Sequence, residues 1–190
     1  MRFVLLLCLA ACAGGASAEK ADAFKDINVS AHKLYLDQLT GVSRMNGEVQ
    51  LKRGTLAMAA ESAEGLEAPD GTMHLTLIAA PGQFATFRQK SDGGPDLWAE
   101  GRAQRIEYDE KTNTVTLFKQ ATVKNTESGR IKSQVDGELL TMNERSQVFT
   151  AINNASGVDT AGGALSTMTI ASRKTHAPAS ATPPEAAPPK

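Results

Sequence analysis

The chain has 190 residues, with 20 Lys and Arg against 21 Asp and Glu and a formal net charge of −1. Because there is no basic excess, the composition gives no reason to expect nucleic acid as a partner. The two cysteines, Cys8 and Cys12, both lie close to the N-terminus. A disulfide framework or a cysteine metal site is therefore excluded from the rest of the chain.

The first 18 residues have the pattern of a secretory signal. A basic residue, Arg2, precedes an apolar run over residues 3–13, and small residues end the segment at Ala18, after which we expect cleavage. The apolar run is shorter than the roughly 20 residues that span a bilayer. An alternative stays open, because Leu9-Ala10-Ala11-Cys12 has the form of a lipoprotein box in which Cys12 would be acylated. Both readings predict a periplasmic protein.

Short alternating segments dominate the region after the signal. Between Lys25 and Arg173 we find no run of ten or more residues with helical periodicity, but about fifteen strand-length segments separated by turn residues. The run from Ala57 to Leu66 is rich in Ala and Glu, which suit a helix, yet its match to a later segment favours a strand. The sequence thus predicts one all-β antiparallel domain over residues 19–173.

Several predicted turns divide what would otherwise be long strands. Met45-Asn46-Gly47 predicts a turn between strands 42–45 and 48–52, since Asn and Gly tolerate the positive φ of tight turns. We also predict separate strands over residues 114–119 and 121–125, and over residues 130–135 and 138–142.

The chain contains an internal repeat of about twenty residues. The segment from Ala31 to Leu51 matches the segment from Ala103 to Val123 at an offset of 72 residues. The match resumes after the next turn at an offset of 75, which pairs Met58 with Ser133. Repeated strand-turn-strand units predict neighbouring copies that stack and bury one continuous apolar face.

Alternation along the strands assigns that apolar face. Pairs such as Leu34 and Leu36, or Ile106 and Tyr108, share one parity, and polar residues lie between them. Phe84 and Phe87 are three residues apart, so one faces inward and the other outward. The spacing leaves two interpretations open: one core Phe and one surface Phe, or Phe87 as part of the lining of a lipid-binding interior.

No motif for chemistry is present. His32, His74 and His176 lack any metal-ligand spacing, and the sequence has no nucleophile elbow, phosphate loop or dinucleotide-binding motif. We therefore expect neither enzyme activity nor a metal or cofactor. Residues 174–190 are dominated by Ala, Pro, Ser and Thr and predict a disordered tail.

Four segments carry a family resemblance. In order and spacing, INVSAHKLYLD, NGEVQLKRGTLAMAAES, PGQFATFRQ and AEGRAQRIEYDEKTNTVTLFKQATVKNTESGRIKS resemble the OstA-like periplasmic family over residues 27–172. The resemblance implies a single twisted antiparallel β-jelly roll with an open hydrophobic interior. In this family that interior holds the acyl chains of lipopolysaccharide on its way from the inner to the outer membrane.

The resemblance also implies which residues bind lipid. Ile27 and Phe87 match family positions that contact lipid, and others share their inward parity. The complete predicted lipid-binding set is Ile27, Val29, Leu34, Leu36, Val49, Leu51, Leu56, Met58, Phe87, Ile106 and Tyr108.

The implied partners are lipopolysaccharide, an LptC-like inner-membrane protein and an LptD-like outer-membrane protein. Copies of the chain are expected to associate head to tail through two edge strands. One strand contains Ile27 and Val29, and the other contains Leu165, Met168 and Ile170.

Three alternatives compete with a lipid carrier. One is a structural or adhesive β-repeat protein with a filled core, and another is an LptC-like partner, for which a longer uncleaved anchor would be expected. A cell-envelope hydrolase has the least support, because no catalytic motif is present. The first alternative is distinguished by whether the inward faces enclose open space or fill it themselves.

Overall fold

The computed structural model describes residues 22, 25–92, 96–143, 148–154, 156, 158 and 165–171. The predicted signal over residues 1–18, the candidate acylation site at Cys12 and the predicted tail over residues 174–190 lie outside the described residues. Within these ranges, no helix has the length and apolar character needed to cross a bilayer.

Twelve strands form the described part of the chain, and the pairings between them are antiparallel. The predicted all-β antiparallel fold is confirmed. The strands are β1 Ile27–Ser30, β2 Lys33–Asp37, β3 Val42–Arg53, β4 Leu56–Glu67, β5 Met73–Ile78, β6 Ala85–Lys90, β7 Leu97–Ala103, β8 Arg105–Asp109, β9 Thr114–Glu127, β10 Arg130–Asn143, β11 Val148–Ile152 and β12 Thr167–Ile170.

The predicted divisions within β3, β9 and β10 are wrong, because each is one long strand. Gly47 and Glu48 have positive φ (78° and 50°), yet they form a bulge that shifts the register and leaves the ladder intact on both sides. Lys119 and Gln120 do the same in β9, with φ of 63° and 50°. A bulge bends a strand where a turn would end it, so about fifteen predicted strands become twelve.

The bends divide the sheet into two halves that face each other. The front half consists of β1, residues 49–53, 56–60, β6, β7, 121–127, 130–137 and β12. The back half consists of β2, residues 42–46, 62–67, β5, β8, 114–118, 139–143 and β11. The long strands β3, β4, β9 and β10 run through both halves and connect them.

The internal repeat is visible in the strand register, with one correction. Leu51 pairs with Met58 in the first copy, and Val123 pairs with Val135 in the second. The offset is therefore 72 residues for β3 and β9, as predicted, but 77 rather than 75 for β4 and β10, because the β9–β10 hairpin is longer. The described strands thus form two six-stranded repeats, β1–β6 and β7–β12.

The core lies close to the bends. Leu77, Ile106, Leu117 and Leu140 occupy one cross-strand row of the back half and are fully buried. On the front half, the row nearest the bend contains small residues, namely Ala60, Ala85, Ala103 and Ala121. Small side chains in this row let the two halves approach closely at the bend and diverge away from it.

Candidate functional site

A cavity of about 930 Å³ lies between the two sheet halves, beyond the packed core. Its apolar walls come from Leu56, Met58, Phe87, Ala99, Val123, Val135 and Met168 on the front half and from Tyr108, Val115, Met142 and Phe149 on the back half. The volume is at the upper end of the range for small-molecule sites, roughly 300–1,000 Å³. The inward faces therefore leave open space between them.

The apolar side chains of the two walls together form what we call the apolar floor of the cavity. Polar side chains border it. One inward row farther from the bend than Met58, the lining becomes mixed: Leu56 and Ala99 are apolar, and the polar residues are Arg53, Gln89, Asn125 and Ser133. Further polar lining comes from Asp22, Lys90, Ser91, Asp92, Glu110, Asn113 and Asn143. An apolar floor beneath a polar rim suits a guest that is itself amphiphilic.

The wall around Phe87 depends on a glycine in the neighbouring strand. Phe87 of β6 pairs with Gly101 of β7 and is 4% exposed. A Cβ atom at Gly101 would lie 2.1 Å from Cε1 of the phenyl ring. The absence of a side chain at Gly101 thus allows the ring to lie against the strand and form the cavity wall.

An ion pair joins the two halves at the cavity. Nη1 of Arg53, at the end of β3, lies 3.0 Å from Oε1 of Glu110, which follows β8. The backbone N–H of Met73 donates a hydrogen bond to Oε2 of Glu110 over 3.0 Å. Both charged side chains are partly buried, being 18% and 29% exposed, and both line the cavity.

The turn that carries Glu110 is itself fixed by two carboxylates. A hydroxyl hydrogen bond from Thr72, together with the ion pair to Lys111 at 3.1 Å, lowers the pKa of Asp70 to about 2. The backbone N–H of Thr112 donates to Asp109 and lowers the pKa of that carboxyl too. Both groups remain ionised at neutral pH.

The predicted lipid-binding residues fall into three groups. Leu56, Met58, Phe87 and Tyr108 line the cavity. Val49, Leu51 and Ile106 are buried in the core and do not appear among the lining residues. Ile27, Val29, Leu34 and Leu36 are exposed on β1 and β2, because among the described residues no further strand covers that end of the sheet. Lipid contact by all eleven residues stays a prediction.

Sequence reasoning missed most of the lining from the second repeat. Val123 and Val135 are the register equivalents of Leu51 and Met58, so the internal repeat itself carried the signal that could have found them. Met142, Phe149 and Met168 belong to the same inward rows as residues of the first repeat.

The described residues contain no group of three or more His, Cys, Asp or Glu side chains placed to hold a metal ion. Nε2 of His32 lies 3.6 Å from Oε2 of Glu48, and both side chains are largely exposed.

Trp98 packs against the guanidinium of Arg88, whose Cζ lies 4.0 Å from the centroid of the indole ring, and Nε1–H of Trp98 donates a hydrogen bond to Oδ1 of Asp96. Trp98 thus has a structural partner on the sheet.

Fold and site together define a class of all-β proteins in which two strand repeats enclose an open apolar cavity. The family model described as "LptA/(LptD N-terminal domain) LPS transport protein" matches residues 28–148, more than half of the chain. The chain belongs to this family, so it has a role in lipopolysaccharide transport, and the predicted family resemblance is confirmed.

A solved structure shares this fold. LptH from Pseudomonas aeruginosa, described as the LptA-homologous periplasmic component of the lipopolysaccharide transport device, superposes with a TM-score of 0.66 and 21% sequence identity. The alignment covers 80% of this chain and 99% of LptH. No curated protein sequence matches the chain significantly.

Proposed function

We propose that this protein binds lipopolysaccharide by the acyl chains of lipid A and forms part of a periplasmic bridge from the inner to the outer membrane. The observation that carries the proposal is the open cavity of about 930 Å³, which the protein's own side chains leave unfilled. A structural protein with a filled core would have no such space. Membership of the lipopolysaccharide transport family supports the same choice of guest.

The physical need for such a cavity follows from the cost of exposing acyl chains to water. Each methylene left in water costs about 0.8 kcal/mol, so an uncovered chain would cross an aqueous compartment only at prohibitive cost. The apolar floor removes most of this cost, while the polar rim leaves sugars and phosphates solvated. This function requires no covalent chemistry.

Site-specific photo-crosslinking tests the proposal. Phe149 lines the cavity, and the next residue, Thr150, is exposed on the opposite face of β11. We expect benzoylphenylalanine at Phe149 to form a lipopolysaccharide adduct under ultraviolet light, detected by mass. The same group at Thr150 serves as the matched control and should form none. Equal adducts at both positions, or none at either, would contradict acyl binding in this cavity.

We also propose that copies associate head to tail. β1 and β2 form one end of the sheet and β11 and β12 the other, and both ends expose apolar side chains, namely Ile27, Val29, Leu34, Leu36, Val148, Met168 and Ile170. Exposed strand edges invite pairing with another chain. Leu165 is 85% exposed and precedes β12, so the predicted edge strand begins only at Thr167.

The pairing of β6 with β7, which joins the two repeats inside the chain, is the basis for the proposed pairing between copies. Inside the chain, Phe87 of the first repeat pairs with Gly101 of the second. By strand register, Met168 is the second-repeat equivalent of Phe87, and Val29 is the first-repeat equivalent of Gly101. A copy stacked in the same geometry therefore places Met168 opposite Val29 of the next copy.

Cysteine pairing tests this register, because the chain beyond Cys12 has no cysteine of its own. We expect Val29→Cys combined with Met168→Cys to form disulfide-linked ladders on oxidation. Val29→Cys combined with Ile170→Cys is shifted by two residues and should link far less efficiently. Equal linking by both pairs would contradict the proposed register, and single variants control for random collision.

The ends of such a stack are the proposed contact sites for the LptC-like and LptD-like membrane partners. The proposal includes a mature periplasmic domain over residues 19–173, released by cleavage after Ala18. The mass of the mature protein distinguishes this cleavage from acylation at Cys12.

A further inference from the structure

We propose that the ion pair between Arg53 and Glu110 is a clasp across the cavity mouth that controls how fast lipid enters. The inference rests on the proposed function, since it concerns lipid entry into the same cavity. Arg53 ends β3 in the front half, and Glu110 follows β8 in the back half. Their side chains meet at 3.0 Å and both line the cavity, so the bond spans the space that separates the two halves.

The Glu110 side of the clasp is held in place by its surroundings. Glu110 accepts a hydrogen bond from the Met73 amide through its second carboxylate oxygen. Its turn is held to the adjacent turn by the ion pair between Lys111 and Asp70. Arg53 reaches this anchored carboxylate with a long side chain that has several rotatable bonds. Opening therefore requires the guanidinium to separate from a carboxylate that its own turn holds in place.

Other ion pairs of the described chain have a different placement. Arg44 and Glu64 lie on paired residues of β3 and β4, and Arg88 and Glu100 lie on paired residues of β6 and β7. Such cross-strand pairs support the register inside one half of the sheet. The Arg53–Glu110 pair joins residues that belong to opposite halves, so sheet register does not account for it.

The positions equivalent to Arg53 and Glu110 in the other repeat are uncharged. By the 72-residue register, Asn125 is the equivalent of Arg53, and Gln38 is the equivalent of Glu110. Nδ2 of Asn125 donates to Oγ of Ser133 on the neighbouring strand over 3.1 Å, within the front half. Because Glu110 belongs to the second repeat, the same link moved on by one repeat would join Asn125 to Gln38 of another copy, and neither residue is charged. The charged link is therefore specific to the junction between the two repeats of one chain.

A guest that enters through the mouth at this point must first separate the two charged groups. Because both are partly buried, their attraction is screened less than that of a fully exposed pair. The clasp therefore adds to the barrier for entry but leaves the apolar floor, which determines affinity, unchanged.

Glu110→Gln opens the clasp with the smallest change, since glutamine keeps an acceptor for the Met73 amide. Using purified, fluorescently labelled lipopolysaccharide in stopped-flow mixing, we expect entry to accelerate about threefold, as for loss of a weak ion pair. Glu64→Gln removes the Arg44–Glu64 pair from the sheet and should leave the entry rate unchanged. Equal rates for wild type and Glu110→Gln would overturn the clasp.

Holding the clasp closed with a covalent link tests the proposal in the opposite direction. This test does not depend on whether Glu110→Gln is stable. Arg53→Cys and Glu110→Cys, joined by a reducible linker, should slow entry roughly tenfold, with recovery on reduction. Identical rates before and after reduction would refute the clasp while leaving lipid binding intact. If wild-type protein takes up no lipopolysaccharide at all, the proposed function itself fails, and the clasp with it.

Discussion

Replacing Met142 with Trp should lower the affinity for lipopolysaccharide roughly tenfold while the protein stays folded. Met142 is half-buried and lines the back wall of the cavity, so a larger apolar ring can occupy open space there. Displacing two methylenes of a guest acyl chain costs about 1.6 kcal/mol, which slightly exceeds the free energy of a tenfold change. Equilibrium binding of labelled lipopolysaccharide measures the effect.

Thr141→Trp is the matched control, because Thr141 precedes Met142 on β10 and its side chain points to the opposite face. The same tryptophan there should leave the affinity unchanged. If both variants lose affinity alike, the loss comes from a general effect of tryptophan on the protein, and the cavity is not where the lipid binds.

Gly101→Ala should destabilise the protein by roughly 1–3 kcal/mol, the usual cost of overpacking. In a strand with ordinary backbone angles, this change would normally gain about 0.5–1 kcal/mol by reducing backbone entropy. The new Cβ, however, would lie 2.1 Å from Cε1 of Phe87, so the ring must leave its position against β7. The sign of the change in the free energy of urea unfolding therefore reports on this contact.

The background variant Phe87→Ala separates the two contributions. Without the ring, Gly101→Ala has nothing to displace and should become neutral or stabilising. A double-mutant cycle then gives an interaction energy of about 2 kcal/mol, within the range for residues in contact. Equal destabilisation in both backgrounds would show that Gly101 matters for a reason other than the phenyl ring.

Much of the fold could be predicted from the sequence, because strand alternation and turn chemistry are local. The segment Ala57–Leu66, with its helix-forming Ala and Glu residues, lies within β4, as its match to the second repeat indicated. The bulges were not predicted, because an Asn-Gly pair such as Asn46-Gly47 is compatible both with a tight turn that reverses the chain and with a bulge that only bends a strand. A bulge forms here because the residues before and after Asn46-Gly47 pair with the same partner strand, β4.

For the candidate site, alternation predicts which side chains face inward, but it does not predict how deeply each one is buried. Parity predicts that Leu34 and Ile106 both face inward, and the strand register places them in one cross-strand row, yet Ile106 is fully buried and Leu34 is 58% exposed. The difference arises from position across the sheet, because Leu34 lies on an edge strand and Ile106 lies between two neighbours. The neighbours of Ile106 are Leu77 on β5 and Leu117 on β9, and alternation within one strand contains no information about which strands flank it.

In the proposed function, the cavity recognises lipopolysaccharide by its acyl chains. Competition between labelled lipopolysaccharide and two unlabelled forms, one intact and one stripped of its acyl chains, tests this directly. We expect the intact form to displace the label and the deacylated form to leave it bound at every concentration reached. Displacement by both forms at equal concentrations would show that sugars or phosphates are recognised, which contradicts a carrier built around an apolar cavity.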